Sequence, residues 1–202
     1  MKAIILAGGL GTRISEETHL KPKPMVEIGG KPILWHIMKR YSIFGINEFI
    51  ICSGYKSHII EDYFKERMEN WKVNVVDTGS NTMTGGRLKR VEKYIENETF
   101  CFTYGDSLNN VDILNTIKFH KDKGKLATVT ACHPPEKYGV LKLENDVVVD
   151  FEEKPERNNE WVNAGYFVLE PEVFELINND STIWEKEPLK ELVYKNQISA
   201  FK

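Results

Sequence analysis

"LAGGLGTR", Leu6 to Arg13, follows the short apolar run Lys2-Ala3-Ile4-Ile5-Leu6. A run of that length reads as one buried strand. Three glycines crowd its end, and Arg13 stands two residues after the last of them. In open α/β sheets, ligands bind at the carboxyl ends of the strands. Glycines there let backbone N–H groups approach phosphate oxygens, and a following helix N-terminus adds partial positive charge. The stretch therefore reads as an anion cradle at the tip of the first strand.

Working outward, strand-like and helix-like runs alternate. Ile33, Leu34, Ile37, Met38 and Tyr41 fall at helical spacing after Pro32, and Gly45 ends that helix. Phe49–Cys52 reads as a strand, Ile59 to Met68 as a helix, and Val73–Val76 as a strand. Leu88 to Ile95 reads as a helix, Phe100–Tyr104 as a central strand, Ile113 to Ile117 as a helix and Ala127–Ala131 as a strand. This βαβα order predicts an α/β fold, with a Rossmann-like mixed, mostly parallel sheet flanked by helices on both faces.

The second half changes character. Gly139–Leu143 and Val147–Phe151 flank "ENDV" and read as a hairpin, a small antiparallel addition. Val162–Leu169 reads as a strand, followed by helices over Pro171–Ile177 and Ile183–Tyr194. Without repeats or linkers, residues 1–202 read as a single domain.

Composition narrows the function. The chain has 202 residues, 28% charged and 41% hydrophobic, with a net charge of −3. That balance argues against disorder and against nucleic-acid binding driven by bulk positive charge. No apolar stretch approaches the ~20 residues of a membrane helix, and the first apolar run is too short for a signal peptide. A cytoplasmic protein without nucleic-acid or membrane partners is expected. Cys52, Cys101 and Cys132 have neither zinc nor disulfide spacing and read as small core residues. Trp35, Trp71 and Trp184 read as core or subunit contacts, and the histidines show no ligand spacing.

Two common phosphate cradles are excluded. A Walker loop needs Gly-Lys-Ser/Thr after four intervening residues, and none occurs. A dinucleotide fingerprint needs glycine or alanine where Ile14 stands, and an acidic residue where the second strand ends Cys52-Ser53-Gly54.

Gly8-Gly9-Leu10-Gly11-Thr12-Arg13, continued by "KPKPM" with Lys21, Lys23 and Met25, resembles the signature of the sugar-nucleotide pyrophosphorylases. "MTGGRLKR" (83–90), "TYGD" (103–106), "FEEKP" (151–155) and "TIWEKEPL" (182–189) are similar to one branch, the glucose-1-phosphate cytidylyltransferases. The resemblance runs the length of the chain. It implies the nucleotide-diphospho-sugar transferase fold, with a nucleotide-binding half over 1–130 and a sugar-binding half over 131–202. It also implies a homo-oligomer that makes CDP-glucose and pyrophosphate from CTP and glucose 1-phosphate with Mg²⁺, for cell-surface polysaccharide such as the O-antigen.

It further assigns roles. Arg13 is the candidate for gripping the leaving β- and γ-phosphates, and Lys23 for the α-phosphate. Lys21 shares the motif but reads equally well as a solvated cation. Leu6, Ala7, Gly8, Gly9, Gly11, Thr12, Thr82, Gly86, Arg87 and Gly105 are the candidate nucleotide contacts. Tyr138, Gly139, Lys154 and Asn163 are the candidate sugar-phosphate contacts, and Asp106 is the metal carboxylate.

Three features depart from the family's pattern. Relatives carry a second metal aspartate in an aromatic segment beyond this region, and Gln197–Lys202 contains no acidic residue. Ser107 and Asn110 stand where relatives have glycine and aspartate. The link between Arg67 and Lys72 is shorter than theirs. These leave two alternatives: a related transferase for another nucleotide or sugar, or a shortened nucleotide-binding protein with little turnover.

Overall fold

Ala3–Leu6 forms strand β1, with every side chain buried, and its residues divide between two cores. Ala3 and Ile5 face one cluster while Ile4 and Leu6 face the other, as the two-residue period of a strand requires. The computed structural model of the protein describes residues 1–9, 21–65, 69–134, 140–152 and 160–202. The candidates Gly11, Thr12, Arg13, Tyr138, Gly139 and Lys154 lie outside the described residues, as does the expected helix end at Met68.

Two short strands, β2 (Glu27–Ile28) and β3 (Lys31–Pro32), pair with each other and lead into helix α1 (Ile33–Ile43). Gly45 closes α1 with φ +84°: its N–H donates to Ser42 O and that of Ile46 to Tyr41 O, a Schellman turn. Strand β4 (Glu48–Ser53), helix α2 (Ser57–Lys65) and strand β5 (Lys72–Asp77) follow. Helix α3 (Thr84–Arg90) and a 3₁₀ turn over Glu92–Tyr94 replace the single expected helix. Then come β6 (Phe100–Tyr104), α4 (Ile113–Lys123) and β7 (Ala127–Cys132).

β8 (Val140–Glu144) and β9 (Val147–Glu152) form the hairpin, turning at Asn145 and Asp146 with φ of +45° and +68°, as a type I′ turn needs. Strand β10 (Val162–Leu169), helix α5 (Glu187–Tyr194) and strand β11 (Ile198–Phe201) complete the order.

The main sheet has seven strands in the order β11-β7-β10-β6-β1-β4-β5. Every strand but β10 runs the same way. The mixed, mostly parallel sheet is thus as expected, but the antiparallel element within it is β10, while the β8–β9 hairpin forms a sheet of its own. The chain steps outward from β1 to β4 and β5, then returns to place β6 on the other side of β1. That reversal opens a crevice at the carboxyl ends of β1 and β6, the switch point where such sheets bind ligands.

Leu34, Ile37, Met38, Tyr41 and Ile60 cover one face, and Leu88, Val173, Phe174, Trp184 and Leu192 the other. Phe102, Phe167 and Trp184 meet edge-on or tilted at ring separations of 5.4–6.0 Å.

Some local expectations are corrected. β11 was not anticipated: four residues at a sheet edge carry no alternation strong enough to mark them. Pro171–Leu176 is a 3₁₀ segment, and the last helix starts at Glu187, because Pro188 suits a first turn whereas Thr182–Glu185 lies against α3. Cys52 and Cys101 are buried, but Cys132 is exposed. Among the described residues, no helix is long and apolar enough to cross a membrane.

Candidate active site

The tip of β1 is built from backbone contacts. Ala7 N–H continues the ladder to Cys52 O at 2.9 Å, and the chain then turns through Gly8 and Gly9. The two glycines serve different ends. A Cβ on Gly8 would stand 2.0 Å from Arg87 Nη1, whereas one on Gly9 would meet none of the described residues within 4 Å. Gly8 is bare for the sake of the protein beneath it, and Gly9 has no such neighbour among the described residues.

Arg87 is that protein beneath. It is 4% exposed. Its Nη1 donates to Ser53 O at 3.0 Å and Thr78 Oγ1 at 2.8 Å, and its Nη2 to Gly8 O at 2.9 Å and Ser80 O at 3.3 Å. The guanidinium clasps the carboxyl ends of β1, β4 and β5 through neutral acceptors. Burial pulls its pKa below the ordinary arginine value. The sequence assigns Arg87 to the nucleotide; in the structure its donors face protein oxygens under the glycine turn.

Thr82 is buried close by, its Oγ1 3.0 Å from where a Gly79 Cβ would stand. The glycine pair before Arg87 also has a packing reason. A Cβ on Gly86 would lie 2.5 Å from Asp180 O, and one on Gly85 2.8 Å from Thr182 O. Gly85 and Gly86 N–H both point at Thr182 O, at 3.0 and 3.3 Å. The start of α3 is thereby closed by the 180–182 segment.

The tip of β6 abuts β1. Gly105 N–H donates to Leu6 O at 2.7 Å, and a Cβ on Gly105 would meet that same oxygen at 2.8 Å and Pro24 Cγ at 3.0 Å. Pro24 and Met25 are buried in a 3₁₀ turn over Lys23–Met25. This seats Lys23 over the switch point, with Nζ 2.5 Å from Asp106 Oδ2. Both side chains keep solvent access, at 22% and 38%. Lys21, in contrast, pairs with Glu27 at 3.0 Å.

Asn163 reaches the same end of the sheet from β10. The β10–β7 register shifts between Asn163 and Phe167, a bulge in which Gly165 adopts φ +84°. Its carbonyls are held from β6 and the following loop: Thr103 Oγ1 donates to Gly165 O at 2.8 Å and Asn109 Nδ2 to Ala164 O at 3.2 Å. The fold therefore brings Leu6, Ala7, Gly8, Gly9, Lys23, Gly105, Asp106 and Asn163 to one end of the sheet, with Thr82, Gly86 and Arg87 packed behind.

The sequence reading missed Tyr104 and Glu185. The Tyr104 hydroxyl donates to Glu185 Oε1, and Thr84 Oγ1 donates to Glu185 Oε2 at 2.7 Å. Burial, then the Glu185 carboxylate, raises the Tyr104 pKa far above the usual tyrosine range, so the phenol stays a donor. Their only sequence signal was membership of "TYGD" and "TIWEKEPL".

Among the described residues, no three His, Cys, Asp or Glu side chains group as a metal site. Asp106 offers one partly exposed carboxylate already in contact with a cation. That suits a divalent ion that takes one or two carboxylates and completes its sphere with phosphate and water. A cavity of about 450 Å³ lined by Glu92, Glu96, Phe174 and Glu175 lies beside the amino end of β6, away from this site.

A family model described as nucleotidyl transferase matches residues 2–198. The chain is 52% identical to a protein of Salmonella typhi named glucose-1-phosphate cytidylyltransferase, over 100% of this chain and 87% of that one. It is 40% identical to a probable glucose-1-phosphate cytidylyltransferase of Bacillus subtilis, over 100% and 88%. Among solved structures, HddC from Yersinia pseudotuberculosis superposes with a TM-score of 0.77 at 30% identity, covering 99% of this chain and 89% of that one.

Proposed function

The chain belongs to the nucleotidyl transferase family, and from that premise we propose that it makes CDP-glucose and pyrophosphate from CTP and glucose 1-phosphate. The observation that carries this reading is the Lys23–Asp106 contact at the switch point, where Gly105 packs on Leu6 at the tip of β1. The 52% identity to the Salmonella typhi cytidylyltransferase supports the choice of nucleotide and sugar.

Two anions must meet in this reaction. One unit-charge pair about 5 Å apart repels by about 3 kcal/mol at an effective dielectric near 20, and several such pairs act together. Catalysis is therefore mainly positioning and charge cancellation. The amides of the β1 turn receive the triphosphate, and Arg13 holds its β- and γ-phosphates. Lys23 leaves Asp106 for an oxygen of the α-phosphate, where it offsets the charge developing there. A phosphate oxygen of the sugar ester attacks the α-phosphorus. The bond from that phosphorus to the bridging oxygen breaks, and its electrons leave with pyrophosphate. Tyr138, Gly139, Lys154 and Asn163 bind the sugar phosphate.

Asp106 is the residue that would hold Mg²⁺, which when bound neutralises phosphate charge. In this reading 1–130 is the nucleotide half and 131–202 the sugar half of one domain. The enzyme acts in the cytoplasm as a homo-oligomer, supported by the exposed Leu141, Leu143, Val147, Val149 and Phe151 of the hairpin.

The test is incubation with CTP, glucose 1-phosphate and Mg²⁺. CDP-glucose and pyrophosphate are expected in equal amounts. No CDP-sugar at any metal concentration overturns the reading, and a panel of four triphosphates checks the nucleotide.

A further inference from the structure

Glu185 stands between two parts of the site that the sequence treats separately. One carboxylate oxygen accepts the Thr84 hydroxyl at the start of α3, the helix whose Arg87 holds Gly8. The other accepts the Tyr104 hydroxyl at the tip of β6, two residues before Asp106. Trp184, fully buried, anchors the carboxylate's backbone, and its backbone N–H donates to Thr84 Oγ1 at 2.9 Å. Thr84 Oγ1 thus accepts a hydrogen bond from the backbone beside Glu185 and donates one to the Glu185 side chain. The arrangement has a fixed donor direction throughout.

Tyr104 in turn lies on the bulge that presents Asn163. Its ring carbon Cδ2 is 3.2 Å from where a Gly165 Cβ would stand. Gly165 N–H donates to Asn163 Oδ1 at 2.7 Å. That bond fixes which end of the Asn163 amide faces the protein, through the same glycine that packs against the Tyr104 ring. With its hydroxyl held by Glu185, the Tyr104 ring is fixed against Gly165, whose N–H orients Asn163.

We propose that Glu185 is a positioning residue for the sugar phosphate, acting through Tyr104 to hold the Asn163 amide in a single orientation at the mouth of the site. The inference rests on the reading of Asn163 as a sugar-phosphate contact. Among the described residues, the hydrogen bonds of Glu185 go to Thr84 and Tyr104, and none goes to Gly8, Gly9 or Asp106. The loss of Glu185 therefore changes recognition of the sugar ester and leaves the triphosphate contacts in place. The chemistry recognised is an ester of a polyhydroxylated ring, for which one correctly turned amide donor matters.

The experiment compares the wild-type chain with Glu185→Ala, Tyr104→Phe and the double variant. KM and kcat are measured separately for CTP and glucose 1-phosphate, and glucose 1-phosphate binding is followed by calorimetry. Each single change is expected to weaken sugar-phosphate KM and Kd by about tenfold, the scale of one hydrogen bond. The KM for CTP should stay within about twofold, since its contacts are untouched. The double variant should be no weaker than Tyr104→Phe alone, because Glu185 acts through that hydroxyl. Additive losses, equal losses for both substrates, or no loss in a folded single variant would overturn the proposal. If Glu185→Ala does not fold, Tyr104→Phe decides: unchanged sugar-phosphate affinity there also overturns it. The wild-type arm separates the two readings, since a wild-type chain that neither turns over nor binds glucose 1-phosphate contradicts the proposed function itself.

Discussion

Arg87 Nη2 donates to the Gly8 carbonyl at 2.9 Å, from a side chain that is 4% exposed and whose bonds among the described residues all go to neutral oxygens. The glycine turn thus rests on a buried cation. Gly8→Ala puts a methyl 2.0 Å from Arg87 Nη1 and 2.8 Å from Ser53 O, and the second of these is backbone that cannot swing away. Overpacking of this kind costs on the order of 1–3 kcal/mol. Urea unfolding should show that loss together with a raised KM for CTP. A Gly9→Ala variant, whose Cβ meets none of the described residues within 4 Å, should keep its stability. Equal destabilisation at the two positions would contradict the division of roles.

Lys23 and Lys21 share one motif but have different partners, Asp106 and Glu27. Lys23→Ala should lower kcat by about 10²–10³, the scale for removing one preorganised charge-stabilising donor. Lys21→Ala should change kcat by less than about threefold, as a surface ion pair does. Steady-state rates at saturating CTP and glucose 1-phosphate decide it. Equal losses at the two sites refute the assignment.

Arg90 grips Asp180 with two bonds, Nε to Oδ1 at 2.9 Å and Nη2 to Oδ2 at 2.6 Å, and these hold the Asp180 carboxyl below its usual range. A depressed carboxyl stabilises the fold above its unfolded pKa, and the contribution fades as pH falls through the folded value. Thermal melts of wild type and Asp180→Asn should differ at neutral pH, the difference should shrink as pH falls below about 4, and it should vanish only when the folded carboxyl, with its lower pKa, is protonated as well. The pair is solvent-exposed, so the difference should shrink in high salt. A gap that widens toward low pH would be the wrong sign.

Phe102 is fully buried and touches the rings of Tyr104, Phe167 and Trp184. Phe102→Ala leaves a cavity under the Tyr104–Glu185 contact and should cost about 3–5 kcal/mol in denaturant melts. A loss below about 1 kcal/mol would mean that this core relaxes around the gap.

The alternation of β1, β4 and β6 with helices was legible because buried parallel strands are short continuous apolar runs, as Ile4-Ile5-Leu6 and Phe49-Ile50-Ile51-Cys52 show. The place of β10 was not. Whether Val162–Leu169 adds to an edge or inserts between β6 and β7 depends on pairings far apart in sequence. Asp106 and Lys23 could be named from their motifs, yet their contact spans 83 positions and only the fold shows it. Arg87 illustrates the opposite limit: its motif marks it as important, and only its four acceptors show that it works beneath the turn. Glu185 carried no signal of its own, because an exposed glutamate in a polar stretch looks like any solvated residue.

The central claim is that the Lys23–Asp106 pair opens to receive a metal-bound triphosphate at the tip of β1. A crystal structure with CTP and Mg²⁺ tests it directly. The expected result has phosphate oxygens over the Gly8–Gly9 turn, Lys23 Nζ moved from Asp106 to an oxygen of the α-phosphate, and Asp106 on the metal. A triphosphate bound elsewhere, with Lys23 still paired to Asp106, would contradict it.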